Sequence, residues 1–266
     1  MAIFHLNISP ISRGKGRSIA ASAAYRSGEK LYDTYYGKLH DYSHRKDVLH
    51  REILLPQRAP PKFYDRQTFV NAIDDSEKRS DSRTAREIKA ALPNELTLQE
   101  QIELTKEYVL SNFVSLGMGV DIAIHAGIYD NNRKTVEFEA VHARQNNPHA
   151  HIILTTHMID ENGFCKTKNR DWDIRSNATL WRESWANIQN REFERKGLEA
   201  RVSHKSYAEQ GVNRIPTKHI GPTVMAIEQR GVRTDRGDMY REVIARNIEM
   251  EWMREHERSR AFERTR

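Results

Sequence analysis

The run Asn147-Pro148-His149-Ala150-His151-Ile152-Ile153-Leu154-Thr155 constrains the fold more than any other stretch of this chain. Two histidines two residues apart lead into an apolar run, which reads as a strand. Side chains of a strand alternate faces, so His149 and His151 project from one face, about 7 Å apart along it. Neutral imidazoles held on a stiff sheet at that spacing can converge on one metal ion. A second segment, Val120-Asp121-Ile122-Ala123-Ile124-His125, also reads as a strand and ends in histidine. Two neighbouring strands would then present three imidazoles to one point. His142 is a rival third ligand, and His157 follows on what reads as the same strand. The chain has 12 histidines, so a His-X-His pair alone is also compatible with a solvated face.

Length and composition bound the rest. With 266 residues the chain can bury a sizeable core in one domain with an appendage. A formal net charge of +6 suggests a polyanionic partner. The single cysteine, Cys165, excludes a disulfide framework within the chain and points to a reducing compartment. No stretch approaches a membrane span, and Met1 to Ser9 lacks the pattern of an export signal. The expected location is cytoplasmic.

Along the chain, Phe4, Leu6 and Ile8 alternate with polar neighbours as a half-buried strand, which Pro10 is expected to end. A cationic, glycine-containing loop follows. Ser18 is a good N-cap for a helix through Ala20, Ala21, Ala23, Ala24 and Tyr25, closing near Gly28. Tyr32 to Asp41 reads as a hairpin turned near Gly37, and Val48 to Leu55 as a strand. Gln67 to Lys78 and Ser82 to Leu92 read as charged helices. Thr97 and Glu100 form a capping box for a helix to about Leu116. Strands are expected at Val120–Ile128, Thr135–Val141 and His149–His157. Ser176 or Asn177 is expected to cap a long helix, with Trp181 and Trp185 as core anchors, stopped at Gly197. The order is not a regular βαβ alternation, so the fold class is α+β: an antiparallel sheet of about five strands with helices on one face. Residues 1–220 form the expected main domain. Residues 221–266 read as a charged helical extension, with an exposed tail from Arg254 leading toward further domains.

Three histidines on a basic chain suggest a divalent cation acting as Lewis acid on a phosphodiester. The nucleophile would be metal-bound water or a side chain. Tyr25 is the candidate side chain: it follows an Ala/Ser-rich helix face and lies near Arg13, Lys15, Arg17 and Arg26 in sequence. A phenol has a reference pKa of about 10, so a cationic site would help it to react. A packing role for Tyr25 is the alternative.

The chain resembles the MobA/MobL family of plasmid relaxases, the TraA-like members most of all. The resemblance is carried in order by Ile3-Phe4-His5-Leu6, Gly16-Arg17-Ser18, Ala23-Ala24-Tyr25-Arg26-Ser27-Gly28 and His40-Asp41-Tyr42. It continues through Ala85-Arg86-Glu87-Ile88, Ile122-Ala123-Ile124-His125, Asn147-Pro148-His149-Ala150-His151 and His204-Lys205-Ser206-Tyr207-Ala208-Glu209-Gln210-Gly211. It implies an HUH-endonuclease fold and strand-specific nicking of plasmid DNA at the origin of transfer. Tyr25 is then the nucleophile, forming a 5′-phosphotyrosyl bond, releasing a 3′-hydroxyl and allowing religation. His125, His149 and His151 hold Mg²⁺ or Mn²⁺. Glu87 orients a metal histidine or assists proton transfer from Tyr25. Arg13, Lys15, Arg17 and Lys30 are the nearest candidates for phosphate contact. The implied partners are single-stranded origin DNA with an adjacent hairpin, a type IV secretion coupling protein and accessory relaxosome proteins. In the family the first histidine lies close before Asn-Pro-His-Ala-His. Here Ala126 to Asn146 intervene, so His142 is nearer in spacing and His125 is favoured by strand context.

Three rivals stay open on the residues alone. A rolling-circle replication initiator would share the chemistry. A non-catalytic DNA-binding regulator would bind DNA without metal. A zinc hydrolase using metal-bound water would not need Tyr25.

Overall fold

The computed structural model describes residues 4–127, 147–218, 220–228 and 230–264. The expected strand Thr135–Val141 and His142 lie outside the described residues. The strands are β1 (Leu6–Ser12), β2 (Lys30–Asp33), β3 (Lys38–Asp41), β4 (Val48–Leu54), β5 (Arg83–Ala91), β6 (Val120–His125), β7 (His149–Thr155), β8 (His157–Asp160) and β9 (Gly163–Lys168). The helices are α1 (Ile19–Ser27), α2 (Arg66–Asp75), α3 (Leu98–Asn112), α4 (Arg175–Arg195), α5 (Pro222–Glu228) and α6 (Asp235–Arg264). Five strands form one antiparallel sheet in the order β1-β5-β7-β6-β4. The fold is α+β, and β2–β3 and β8–β9 are separate hairpins.

Helices cover both faces of the sheet, not one. On the first face Leu6, Ile88, Ile122, Ile124, Ala150, Ile152 and Leu154 pack with Tyr108 and Phe113 around α3 and with Trp181 and Trp185 of α4. On the second face Ile11, Ile53, Ala85 and Ile153 pack with Ala20, Ala23 and Ala24 of α1 and Phe69, Val70 and Ile73 of α2. The second face changes character along each strand. Ile153 is followed on its face by His151 and His149, and Ala85 by Glu87. Apolar packing therefore gives way to polar groups under the end of α1.

Four expectations are corrected here. Ser82 to Leu92 is not a helix: it is β5, second in the sheet, paired on one side with β1 and on the other with β7. β1 does not end at Pro10 but runs to Ser12. It lies at the sheet edge, where a proline without an N–H removes no needed ladder bond. The histidine strand stops at Thr155, and His157 starts β8 in another hairpin. α4 also opens earlier than read, with Ile174 rather than Ser176 or Asn177 at its N-cap.

Other local signals act as read. Ser18 accepts from Ala21 N, and Gly28 closes α1 at φ +65°. Thr97 and Glu100 make the reciprocal capping box of α3. Gly197, at φ +67°, follows the end of α4.

A buried ion pair ties α2 to β6. Arg66 Nε donates to Asp121 Oδ2 at 2.9 Å and Nη2 to Oδ1 at 3.0 Å, while Nη1 reaches Glu29 at 2.6 Å. Burial pushes the Asp121 carboxyl upward, and the Arg66 charge opposes that. Removing one partner leaves the other charged and buried. Asp121→Ala is therefore expected to lower stability by about 3–5 kcal/mol, read by urea denaturation with an unchanged m-value.

The described residues divide into two compact units at His204/Lys205, ahead of the expected boundary at 220. Val202 still belongs to the sheet core, whereas Ile215 is bonded on both its N–H and C=O to the Asn247 side chain of α6, at 2.8 Å each. Within the second unit Glu228 accepts from Thr234 and Arg241, joining α5 to α6. No helix among the described residues is long and apolar enough to cross a membrane.

Candidate active site

Strand register brings three histidines together. His125 pairs with His149 across β6 and β7, and His151 lies two residues further along the same face. Their ring centroids are 4.6 to 5.3 Å apart. One ligand nitrogen from each lies within 4.8 Å of the others, the only such potential metal group among the described residues.

Each ring has one nitrogen committed to an acceptor. His149 Nδ1 donates to the carbonyl of Asn147 at 2.8 Å, and His151 Nδ1 donates to Glu87 Oε1 at 2.9 Å. His125 Nε2 donates to the carbonyl of Arg26 at 2.7 Å. Such bonds fix the tautomer and leave the other nitrogen, Nε2 of His149 and His151 and Nδ1 of His125, as a lone-pair donor. The donor set fits a divalent cation that accepts imidazole.

Burial keeps these rings neutral. It lowers His125 and His149 from the ordinary histidine value and takes His151 to about 4, against the raising effect of Glu87. Protons therefore compete for the ligand nitrogens only at low pH. Mn²⁺ affinity measured by calorimetry is expected to hold down through pH 6.5 and to fall toward pH 4, where His151 takes up its proton. Loss beginning at the ordinary histidine value of 6.5 would contradict this assignment.

Glu87 is the hub beneath the cluster. Arg26 Nε donates to Oε1 at 2.6 Å, and Arg17 Nη2 donates to Oε2 at 3.2 Å. Burial pushes the Glu87 carboxyl up. The His151 bond and the Arg26 charge outweigh burial and hold it well below the usual carboxylate range.

Tyr25 stands on the last turn of α1, one residue before the carbonyl that accepts His125, and is 45% exposed. Its ring meets Tyr42 edge-on at 5.3 Å between centroids, and Arg45 lies over it at 4.0 Å.

The cations expected to meet phosphate fare differently. Arg13 is excluded from that role. It is 5% exposed and spends its guanidinium on Asp74 at 2.8 Å and on the carbonyls of Glu77 and Arg79. Arg17 is half-buried and bonded to Pro10 O and Glu87. Lys15 is exposed. Lys30 is exposed, with Asp41 at 3.8 Å, a separation that contributes little in water. His157 is not in the cluster and pairs with Glu77 at 3.3 Å. Arg45 and Asp47 went unread in the sequence, where a loop Arg-x-Asp carries no spacing signal. Arg26 was noted only as a nearby cation.

Imidazoles gathered on adjacent strands of an antiparallel sheet, beneath a helix that ends in an exposed tyrosine, define a candidate metal centre of the α+β class. The MobA/MobL family profile matches residues 17–230, and the chain belongs to that family. The mobilization protein MobL of Acidithiobacillus ferridurans is 33% identical, over 86% of this chain and 65% of its own length. The probable mobilization protein MobA of Bifidobacterium longum is 28% identical, over 99% of this chain and 51% of its own. The chain thus spans about half to two thirds of these relatives. A solved structure presented as the molecular basis of vancomycin resistance transfer in Staphylococcus aureus has a TM-score of 0.66 and 34% identity. That match covers 77% of this chain and 100% of the other.

Proposed function

We propose that this chain is the DNA-nicking domain of a conjugative or mobilisation relaxase, acting on single-stranded DNA at an origin of transfer. The observation that carries the reading is the His125–His149–His151 cluster bound through Arg26 to the turn that bears Tyr25. Its relatives, named as mobilization proteins, support it.

In this reading Tyr25 Oη attacks the scissile phosphorus and the P–O3′ bond breaks. The phenol proton passes to base, the 3′ oxygen takes up a proton, and a 5′-phosphotyrosyl ester remains. Reversal of the same exchange reseals the strand. His125, His149 and His151 would hold a divalent cation, Mg²⁺ or Mn²⁺, which would supply Lewis-acid stabilisation of the phosphate charge. Glu87 orients His151 and fixes its tautomer. Of the cations read from the sequence, Lys15 and Lys30 are exposed and available to backbone phosphates, and Arg17 is half-buried.

The test uses the purified chain, Mn²⁺ and a labelled pool of randomised single-stranded oligonucleotides. An SDS-stable protein–DNA adduct that EDTA prevents is the expected result, and sequencing the trapped strands gives the preferred site. Metal-independent binding with no adduct would leave the DNA-binding regulator in its place. DNA affinity itself should fall steeply with salt, because phosphate contacts release counterions.

A further inference from the structure

The last carbonyls of a helix have no partner within it. In α1 each of three successive carbonyls is capped by a side chain from outside. Arg45 Nη1 donates to Tyr25 O at 2.7 Å, His125 Nε2 to Arg26 O at 2.7 Å, and Arg51 Nη1 to Ser27 O at 2.9 Å. Arg45 does more than cap. Its guanidinium carbon lies 4.0 Å from the centroid of the Tyr25 ring. Its Nε donates to Asp47 Oδ1 at 2.9 Å, and its Nη2 pairs with Asp47 Oδ2. That Nη2 also stands 3.4 Å from His125 Nδ1. Asp47 is anchored in turn, since its carbonyl accepts from Ala126 N at 2.9 Å, directly after β6.

One planar cation therefore touches the main chain of Tyr25, the ring of Tyr25 and the imidazole of His125. The geometry points to Arg45 as the positioning residue that sets where the Tyr25 phenol stands relative to the histidine cluster. This inference rests on the relaxase reading. Tyr25 needs such a support because it is 45% exposed, and an exposed ring samples several rotamers. A displacement of about 1 Å from the attack geometry can lower a rate about 100-fold. Lysine cannot replace Arg45. Stacking on a ring while donating in-plane to a carbonyl and a carboxylate needs a planar fork. The neighbouring guanidinia of Arg17 and Arg26 are committed to Glu87.

The experiment compares Arg45→Gln and Arg45→Lys with wild type on an oligonucleotide recovered from the adduct pool. Three quantities are read: single-turnover adduct rate at saturating DNA, DNA Kd by anisotropy, and Mn²⁺ Kd by calorimetry. Both variants are expected to slow the rate about 100-fold with the DNA Kd near wild type and Mn²⁺ bound no more weakly, since neither change adds positive charge beside His125 Nδ1. Arg51→Gln removes a cap from the same helix end without touching Tyr25 or His125, and its rate should match wild type. Full rate in Arg45→Gln, or full rescue by lysine, would overturn the assignment. So would a DNA Kd that weakens in step with the rate, which would make Arg45 a phosphate contact. Should Arg45→Gln fail to fold, the lysine variant decides. If wild type forms no adduct, the relaxase reading falls and the positioning claim is read alone. It then predicts a narrowed, shifted ¹⁹F resonance for fluorotyrosine at position 25 in Arg45→Lys, and an unaltered line refutes it.

Discussion

Tyr25→Phe will keep the fold, the metal and the DNA affinity, and will lose the covalent adduct. The substitution removes one oxygen from a half-exposed ring whose edge contact with Tyr42 and face contact with Arg45 survive. A change of that kind outside the core should alter stability by no more than about 0.5 kcal/mol. The chemistry has no such tolerance. Without the oxygen no phosphotyrosyl ester can form, and adduct formation should fall by at least about 10³-fold, the scale on which nucleophile removal is felt in other enzymes. SDS gels of the trapped complex and anisotropy of the bound strand together separate loss of reaction from loss of binding. Undiminished strand cleavage by the phenylalanine variant, ending in a free 5′-phosphate, would establish the water-using hydrolase instead.

Glu87→Ala should damage both metal affinity and stability. The carboxylate holds His151 in the tautomer that frees Nε2, and loss of such an orienting group weakens metal binding about 10- to 100-fold. It also neutralises Arg26, which is 8% exposed. Stranding that guanidinium should destabilise the apo protein by about 3–5 kcal/mol. Glu87→Gln keeps an acceptor for His151 but presents an amide to two guanidinia, so its stability should fall nearly as far. The sign with pH follows from the same group. The folded carboxyl is held below its unfolded value, so its contribution is complete above about pH 4.5 and is lost as pH falls further. The buried histidines act in the same direction, because the unfolded chain takes up their protons first, for His151 between 6.5 and about 4. Wild-type stability should therefore drop on acidification from neutral pH, more steeply than in Glu87→Gln. Parallel urea midpoints against pH for the two proteins would refute this.

Local grammar made much of this molecule legible. The strand at His149, the Ser18 cap, the Thr97–Glu100 box and the buried Trp185 all follow from short-range patterns, and the histidine pair marked the site. The largest misreading was also at the site. Arg83-Thr84-Ala85-Arg86-Glu87-Ile88-Lys89-Ala90-Ala91 is rich in good helix formers, and its charges suggest a solvated face. In the fold Arg86 and Glu87 are inside, while Arg83 and Lys89 stay exposed. Arg86 pairs with Asp173, and Glu87 takes Arg26, Arg17 and His151, partners that lie up to 87 residues away. A strand whose buried positions are polar and paired with distant partners looks, to propensity, like a surface helix. Arg13 failed for the converse reason: a cation in a glycine-flanked loop reads as solvated, and only the folded chain brings Asp74 against it.

The acceptors that hold the histidines bear unequally on how the site tolerates sequence change. His125 and His149 lean on the main-chain oxygens of Arg26 and Asn147. A peptide carbonyl survives any substitution at its own residue, so Asn147 can vary in side chain without releasing His149. His151 alone leans on a side chain, Glu87. Mutational fragility in the support of the three histidines is thus concentrated at one position, and a library of substitutions scored for Mn²⁺ retention should find residue 87 intolerant where residue 147 is permissive.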